Sequence, residues 1–180
     1  NGMTDERRMH VAVHDSINIV NSITPAFGYL GRNASVQITG ANFLLPSTTL
    51  GFSGTGIQVV AAGASNALGT TLGGFLFIDP STPPGFYDVR VTNIEGSDTL
   101  VVAFQVRCVG DLNGDNVFNF GDLNILLGVY NQTLPGHPAD FDQSGTIDFA
   151  DLNFLLGIFN QTCCTARALQ RPKTPHARRD

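Results

Sequence analysis

Short apolar runs separated by turn-forming residues fill the first two thirds of the chain. Between Tyr87 and Val91 apolar and polar residues alternate, which is the pattern of a strand that buries one face. Clusters of Gly, Pro, Ser and Asn lie between the runs, as turns require. The predicted strands cover residues 17–20, 35–38, 48–52, 57–60, 74–78, 87–91 and 100–106. Seven short strands within about 90 residues predict a small antiparallel β-sandwich.

Three stretches of this region resemble the IPT/TIG domain and follow one another in the order of that family. They are Ile23-Thr24-Pro25, residues 36–43 and residues 84–93. The resemblance implies an immunoglobulin-like antiparallel β-sandwich over residues 17–107. Some IPT/TIG domains belong to DNA-binding transcription factors, and others are extracellular spacers or adhesion modules. A net charge of −5 and a pI near 5.1 lack the basic footprint that nucleic acid demands. We therefore expect the extracellular kind and no nucleic-acid partner.

The residues ahead of this domain, 1–16, contain an alternating run from Met9 to His14. Three interpretations fit this run: an extra first strand, a disordered tail, or a strand donated to a neighbouring molecule. The chain does not open on the apolar run of a signal peptide, so we expect a processed chain or a fragment of a longer one. No stretch of about 18 apolar residues occurs, and no membrane span is expected.

A sequence repeat distinguishes the second region, residues 108–164. Residues 111–133 align with residues 140–162 without a gap, at a period of 29 residues. Both copies carry the pattern DLN, an apolar residue and LLG, and we predict a short helix there. Residues 134–138 form a turn-rich connector. The Arg-rich residues 165–180 are expected to be poorly ordered.

Each repeat opens with a twelve-residue segment rich in side-chain oxygen, residues 111–122 (loop 1) and 140–151 (loop 2). A calcium loop of the EF-hand type takes ligands from its positions 1, 3, 5, 7, 9 and 12, and position 7 uses its backbone carbonyl. The predicted ligands are Asp111, Asn113, Asp115, Val117, Asn119 and Asp122 in loop 1, and Asp140, Asp142, Ser144, Thr146, Asp148 and Asp151 in loop 2. We therefore expect two calcium ions, with magnesium as the weaker rival.

Two further loop positions have specific requirements. Position 6 needs a sharp turn, which Gly145 supplies in loop 2 and Asn116 supplies in loop 1, because Gly and Asn tolerate the left-handed region. Position 8 holds Phe118 and Ile147, apolar residues that are expected to bridge the two loops.

The repeat pair resembles a type I dockerin, through Asp111-Leu112-Asn113-Gly114-Asp115 and Asp140-Phe141-Asp142. Like dockerin repeats, both loops end on Asp in place of Glu, and no amphipathic helix precedes them. The resemblance implies a cohesin-like partner and attachment to extracellular scaffolds, often for polysaccharide breakdown. The loops depart from the family at positions 10 and 11, where small polar residues often select the cohesin. This chain has Phe120-Gly121 and Phe149-Ala150 there.

The two predicted helices divide their apolar residues between two faces. Residues spaced i, i+3, i+4 and i+7 are expected to form a core shared by the repeats. These are Leu123, Leu126, Leu127 and Tyr130, and Leu152, Leu155, Leu156 and Phe159. The other face is predicted to bind a partner, because exposed apolar patches often mark such surfaces. It comprises Ile125, Val129, Phe154 and Ile158, with Phe120 and Phe149 nearby. Packing of this face on the β domain is the alternative.

The chain has three cysteines, Cys108, Cys163 and Cys164. Because the count is odd, at least one stays free or bonds another molecule. The cysteines bracket the repeat pair, and dockerin-like domains bring their two ends together. We therefore expect a disulfide from Cys108 to either Cys163 or Cys164.

No catalytic constellation is evident, because the four histidines are scattered and most acidic residues that could serve a glycosidase belong to the loops. The leading hypothesis is a secreted, non-catalytic calcium-binding module that attaches proteins outside the cell or at its surface. The first alternative is a subunit that self-assembles into an extracellular fibre or surface layer. The second is the accessory tail of a larger polysaccharide-degrading enzyme.

Overall fold

The computed structural model describes residues 18–43, 48–64, 66 and 68–163. The alternating run at 9–14, the basic segment 165–180 and Cys164 lie outside these residues. The described chain is mainly β. Its first part is a sandwich of two sheets, and residues 108–163, here called the C-terminal unit, carry two helices.

Eight strands build the sandwich. They are β1 (Ile19–Thr24), β2 (Phe27–Tyr29), β3 (Asn33–Ala41), β4 (Thr49–Phe52), β5 (Ile57–Ala64), β6 (Thr71–Ile78), β7 (Gly85–Asn93) and β8 (Gly96–Arg107). One sheet has the order β1-β3-β6-β5 and the other has the order β2-β8-β7-β4. Every neighbouring pair is antiparallel except β2 and β8, which run parallel.

Alternating burial explains how the sheets pack. In β7 the side chains of Tyr87, Val89 and Val91 are buried, while Phe86 before them and Arg90 among them are exposed. Because successive side chains of a strand point to opposite faces, one face of each sheet can supply the core. That core comprises Val20, Ile23, Val36, Ile38, Phe43, Leu50, Leu72, Leu76, Ile78, Tyr87, Val89, Val91, Phe104 and Val106. The predicted β-sandwich is confirmed.

The strand β2 was not among the predicted strands. It has three residues, which is too short for a period of two to be recognised in the sequence. It lies against β8, with Gly28 opposite Val106. A side chain at Gly28 would collide with Ile78 and Phe104, so the small residue lets the backbone lie directly on the core. Five of the predicted strands fall within longer observed ones. The predicted strands 17–20 and 48–52 each begin early, because Asn18 and Thr48 lie outside β1 and β4 and Ile17 is not described.

Each repeat has one nine-residue helix, as predicted: α1 (Phe120–Gly128) and α2 (Phe149–Gly157). Each helix begins at position 10 of its loop. Each begins with a capping box, in which Asn119 or Asp148 caps the first turn and an Asp at the third helical position bonds back to the backbone N–H of the cap. Such a box satisfies N–H groups that the first turn would otherwise leave unpaired. After each helix an Asn with positive φ, Asn131 or Asn160, turns the chain.

Backbone hydrogen bonds join the two repeats. Phe118 donates to Gln161 O at 2.9 Å, and Ile147 donates to Gln132 O at 2.9 Å. Each loop therefore pairs with the chain that leaves the helix of the other repeat. Phe118 and Ile147 are both fully buried in one core cluster. The side chains of Phe118 and Ile147 thus join the loops through a shared apolar core. The backbone of each loop pairs instead with the chain that leaves the helix of the other repeat.

The sandwich and the C-terminal unit have separate cores that meet at Leu30, which packs against both. Leu30 follows β2 directly and its N–H donates to Arg107 O at 3.0 Å, at the end of β8. The junction of the two units is therefore built from β2 and the end of β8.

Candidate metal centre

Four carboxylates are buried at the loops, two in each. Asp111, Asp122 and Asp151 have no exposed surface, and Asp140 is 1% exposed. Burial of a charged group is costly unless hydrogen bonds or a counter-charge compensate it. The hydrogen-bond partners of these four carboxylates therefore show how each loop compensates its buried charge.

In loop 1 the backbone supplies the partners. Asp111 accepts hydrogen bonds from the N–H of Gly114 at 2.7 Å and of Asn116 at 3.2 Å. Asp122 accepts from the N–H of Leu112 at 2.8 Å and of Asn119 at 2.9 Å. The loop is thus wrapped around its first and last carboxylates.

Loop 2 repeats this pattern with fewer hydrogen bonds. Asp140 accepts from the N–H of Gly145 at 2.9 Å, and Asp151 accepts from the N–H of Phe141 at 2.6 Å and of Asp148 at 2.9 Å. The second oxygen of Asp140, Oδ1, is buried and has no hydrogen-bond partner among the described residues. Oxygens of Asp140, Asp142 and Asp151 all lie within 4.8 Å of one another. These three carboxylates together could hold a metal ion.

The turn residues of the loops lie as predicted. Asn116 has φ 66° and Gly145 has φ 88°, so both occupy the left-handed region at position 6. This turn directs the position-6 N–H towards the position-1 carboxylate in both loops.

The ionisation of the loop carboxylates differs with their surroundings. Burial raises the pKa of Asp111, and the charge of Asp122 adds to this, while the N–H groups of Gly114 and Asn116 act against it. At Asp115 burial opposes ionisation, but hydrogen bonds from Val117, Asn113 and Asn119 together outweigh it and lower the pKa.

In loop 2 the backbone N–H of Ser144 and then its hydroxyl hold the pKa of Asp142 below its ordinary value. This carboxylate therefore offers charged oxygen to the cluster at neutral pH. Asp111 differs, because burial raises its pKa and so favours its protonated form.

The polar positions 3, 5 and 9 differ between the loops. In loop 1 the amide nitrogens of Asn113 and Asn119 both donate to Asp115, at 2.9 and 3.1 Å. These two amide groups thus offset part of the negative charge of Asp115. Loop 2 has Asp142 and Asp148 at the corresponding positions, which carry no such donors.

Two arginines of the sandwich reach the loops. Arg32, between β2 and β3, donates to Asp140 O at 3.2 Å and to Phe141 O at 2.8 Å. Arg107, the last residue of β8, donates to Leu112 O at 3.1 Å. Neither was anticipated from the sequence, because a hydrogen bond to a backbone carbonyl leaves no residue-type signal and both contacts are made by the tertiary fold.

The predicted partner face is only partly accessible. Phe120 and Phe149 are each 68% exposed and Ile125 is 39% exposed. Val129 and Phe154 are half-buried against the core of the C-terminal unit. Ile158 is 7% exposed and belongs to that core, so its assignment to a partner face is wrong. It lies one residue beyond the end of α2. The helical wheel therefore does not give its direction.

The predicted helix core also needs a correction. Leu126 and Leu155 are fully buried, but Leu127 and Leu156 are each 50% exposed. Each of these exposed leucines lies about 100° around its helix from the buried one beside it, which turns it out of the core. The most exposed apolar residues on both helices are thus the first residue and the eighth.

A disulfide closes the C-terminal unit. Cys108 is bonded to Cys163, with a Cα–Cα distance of 5.6 Å and a sequence separation of 55. The structure thus selects Cys163 from the two partners that the sequence left open. It ties the first residue of the unit to its last described one.

No helix among the described residues is long and apolar enough to cross a membrane. No protein-family model matches the chain. A search of curated proteins finds no match either.

Comparison with solved structures gives several partial likenesses. One is SGBP-B from a complex xyloglucan utilization locus in Bacteroides uniformis, with 18% identity, 49% of this chain and 23% of that chain covered, and a TM-score of 0.35. Another is gamma-CGTase from alkalophilic Bacillus clarkii, with 26% identity, 51% and 12% covered, and a TM-score of 0.35. The M1 domain from titin has 16% identity, 52% and 95% covered, and a TM-score of 0.33. The match thus spans less than a quarter of each of the first two proteins. Likenesses at these TM-scores carry no argument about function.

Proposed function

We propose that residues 108–163 are a dockerin-like unit that binds two calcium ions and attaches the chain to a protein partner. The observation that carries the proposal is Asp140 Oδ1, a buried oxygen without a hydrogen bond, placed in a cluster of three carboxylates. Leaving such an oxygen unpaired is costly. A bound cation would supply the missing partner.

The donor set favours calcium among the common cations. The loops offer carboxylate, amide, hydroxyl and backbone carbonyl oxygens and neither sulfur nor imidazole. Calcium takes six to eight oxygens in flexible geometry, whereas magnesium demands a tight octahedron and usually keeps several waters. Asp111, Asn113, Asp115, Val117, Asn119 and Asp122 would hold one ion, and Asp140, Asp142, Ser144, Thr146, Asp148 and Asp151 the other.

We propose further that the sandwich is an immunoglobulin-like domain of the IPT/TIG kind. Tyr87, near the start of β7, donates its hydroxyl proton to Pro83 O at 2.7 Å. A Tyr near the start of a late strand that bonds back to the backbone a few residues upstream is the tyrosine corner of immunoglobulin-like sandwiches. This contact supports the assignment independently of the sequence resemblance.

The partner surface that we propose is an apolar stripe on each helix. The stripe consists of Phe120 and Leu127 on α1 and of Phe149 and Leu156 on α2. Corresponding residues are equally exposed, at 68% for the phenylalanines and 50% for the leucines. An exposed large apolar residue at the same place in both repeats is typical of an interaction surface. A cohesin-like domain is the partner that the dockerin resemblance favours.

An extracellular setting fits both halves of this proposal. The Cys108–Cys163 disulfide persists best in oxidising compartments. Calcium loops of extracellular modules bind in the range of about 10⁻⁴–10⁻³ M. A secreted or cell-surface module would therefore keep its loops filled without high affinity.

Calcium titration of the full chain tests the proposed metal sites. Isothermal calorimetry should give two calcium ions per chain, with magnesium binding more weakly. Chelation should reduce the helical circular dichroism of the C-terminal unit and leave the β signal of the sandwich. The variant Glu95→Gln, which removes an exposed charge outside the loops, should bind calcium like the parent chain. Absence of calcium binding, with an unchanged spectrum after chelation, would refute the proposal.

Self-assembly into a fibre or surface layer is a second candidate function, which one feature favours. Strand β5 lies at the end of its sheet, carries no charged residue and exposes 60% of Val60. Uncharged edge strands are templates for pairing with another chain. Sedimentation velocity and electron microscopy of the calcium-loaded chain would distinguish filaments from discrete monomers, and Val60→Lys should suppress any filaments. Discrete monomers at all concentrations would exclude this candidate.

A further inference from the structure

We propose that Arg32 and Arg107 are positioning residues for the two loops, so that the sandwich holds the position-12 carboxylates, Asp151 and Asp122, ready for calcium. This inference rests on the proposed calcium function and extends it to the sandwich. It would make the two units of the chain one cooperative calcium-binding structure.

In loop 2 the connection runs through a single peptide group. Arg32 Nη1 donates to Asp140 O at 3.2 Å, and the N–H of the same peptide group, that of Phe141, donates to Asp151 Oδ1 at 2.6 Å. The second guanidinium nitrogen, Nη2, donates to Phe141 O at 2.8 Å. Arg32 thus binds two successive carbonyls through two different nitrogens, whose relative position the planar guanidinium fixes.

In loop 1 a different arginine makes a similar connection, one peptide group further along the loop. Arg107 Nη1 donates to Leu112 O at 3.1 Å, and the N–H of that peptide group, which belongs to Asn113, donates to Asp122 Oδ1 at 3.2 Å. Two further contacts hold the Arg107 guanidinium in place. Its Nε donates to Gln105 Oε1 at 2.8 Å, and its carbon lies 4.3 Å from the ring centroid of Phe27.

The duplication argues for a common role. The loops are related by the sequence repeat, but the arginines are not, because Arg32 follows β2 and Arg107 ends β8. Two unrelated positions of the sandwich nonetheless place a guanidinium on the same part of each loop. A packing accident would not be expected to place an arginine there twice.

The physical effect is polarisation and preorganisation. A cation on the carbonyl of a peptide group makes its N–H a stronger donor, because linked hydrogen bonds reinforce one another. The position-12 carboxylate is then fixed before a metal arrives, and less conformational freedom is lost on binding. By reciprocity, calcium in the loops should tighten the contact between the sandwich and the C-terminal unit.

The positive charge of each arginine acts in the opposite direction, because it repels a bound cation. Substitution by Lys separates the two effects. Lys keeps the charge and loses the fork, so a positioning role predicts weaker calcium binding for Arg32→Lys. A purely electrostatic role predicts no change for Lys and tighter binding for Arg32→Met.

The test follows each loop separately in the full chain. The N–H of Gly114 bonds Asp111 in loop 1, and the N–H of Gly145 bonds Asp140 in loop 2, so their NMR signals report the two sites during titration with calcium chloride. Arg32→Lys should weaken calcium binding to loop 2, reported by the Gly145 signal, by about tenfold, which is ~1.4 kcal/mol. The affinity of loop 1, reported by the Gly114 signal, should not change. Arg107→Lys should do the reverse.

Arg90→Lys is the matched control, because Arg90 is exposed on β7 and donates to Ser97 away from the loops. It should bind calcium at both loops like the parent. Equal affinities in parent and both loop variants would overturn the inference, and so would an equal loss at both loops in each variant. If the parent chain itself binds no calcium, the proposed function fails instead. Should Arg32→Lys not fold, Arg107→Lys decides the question alone.

Discussion

The carboxylate of Asp151 accepts a hydrogen bond of 2.6 Å from the backbone N–H of Phe141, and both residues are buried. The last residue of loop 2 thereby holds the second residue of that loop. Asp122 and Leu112 stand in the same relation in loop 1, at 2.8 Å. Each position-12 aspartate therefore closes its loop and also bonds the N–H of the residue that caps the following helix.

Replacement of Asp151 by Ala should weaken the C-terminal unit even without metal. It leaves the N–H groups of Phe141 and Asp148 without their acceptor, at a cost of about 3 kcal/mol in the free energy of unfolding. It also removes a predicted calcium ligand, so loop 2 should no longer bind the ion. Urea denaturation with and without calcium measures both effects, with Glu95→Ala as the control. A parent-like denaturation midpoint in both conditions would contradict this account.

Loop 2 should bind calcium more tightly than loop 1. It carries four aspartates among its ligand positions, whereas loop 1 carries three. More charged ligands give a calcium loop higher affinity. In an NMR titration the Gly145 signal should therefore respond at lower calcium than that of Gly114. The reverse order would show that charge count does not set the affinities.

Asn113→Asp should make the calcium affinity of loop 1 more similar to that of loop 2. The substitution adds a fourth carboxylate and removes the amide that donates to Asp115 at 2.9 Å. Like charges then oppose each other in the empty loop, so stability without calcium should fall, while affinity should rise by roughly tenfold, or ~1.4 kcal/mol. Calorimetry and thermal unfolding in chelator measure the two changes. Gln58→Glu, at an exposed position of β5 outside the loops, is a control for the added charge.

The part of the site that could be read from the sequence is the part that local spacing determines. Loop positions 1 to 12 follow one another directly, so Asp111 and Asp122 could be assigned by counting, and the turns at Asn116 and Gly145 follow from their φ preferences. Alternation likewise identifies a strand such as β7, because each of its buried residues is flanked by less buried ones.

The errors have a physical origin in the short helices. In a helix of nine residues the wheel has little more than two turns to define a face. Leu127, which was expected in the core, is therefore exposed, and Ile158, which was expected on the partner face, is buried. The contacts of Arg32 could not be predicted at all, because its acceptors are backbone carbonyls more than a hundred residues away, and every residue type offers such a carbonyl.

Loss of the disulfide should destabilise the C-terminal unit. Closing a loop of 55 residues stabilises by about 4 kcal/mol in the chain-entropy model. Cys108→Ser should lower the melting temperature of the calcium-loaded unit, and Cys163→Ser should lower it equally. Cys164→Ser is the matched control and should leave it unchanged. Peptide mapping without reductant should recover Cys108 joined to Cys163, and recovery of all three thiols free would refute the pairing.

The two leucines of the apolar stripe give the cleanest test of partner binding. Phe120 packs edge to face on Phe159, with ring centroids 5.2 Å apart. Changing Phe120 would therefore disturb the fold as well as the surface. Leu127 and Leu156 are half exposed, so a lysine at either position can extend into solvent at little cost.

The double variant Leu127→Lys, Leu156→Lys should keep calcium binding and melting temperature near those of the parent and lose capture of a cohesin domain in surface plasmon resonance. Because corresponding residues of the two repeats are equally exposed, each single variant should retain part of the binding through the other helix. Phe86→Lys, at an exposed apolar site on the sandwich, should bind the partner normally. If the double variant binds as tightly as the parent, the stripe is not the partner surface. If it unfolds, the leucines belong to the core despite their exposure.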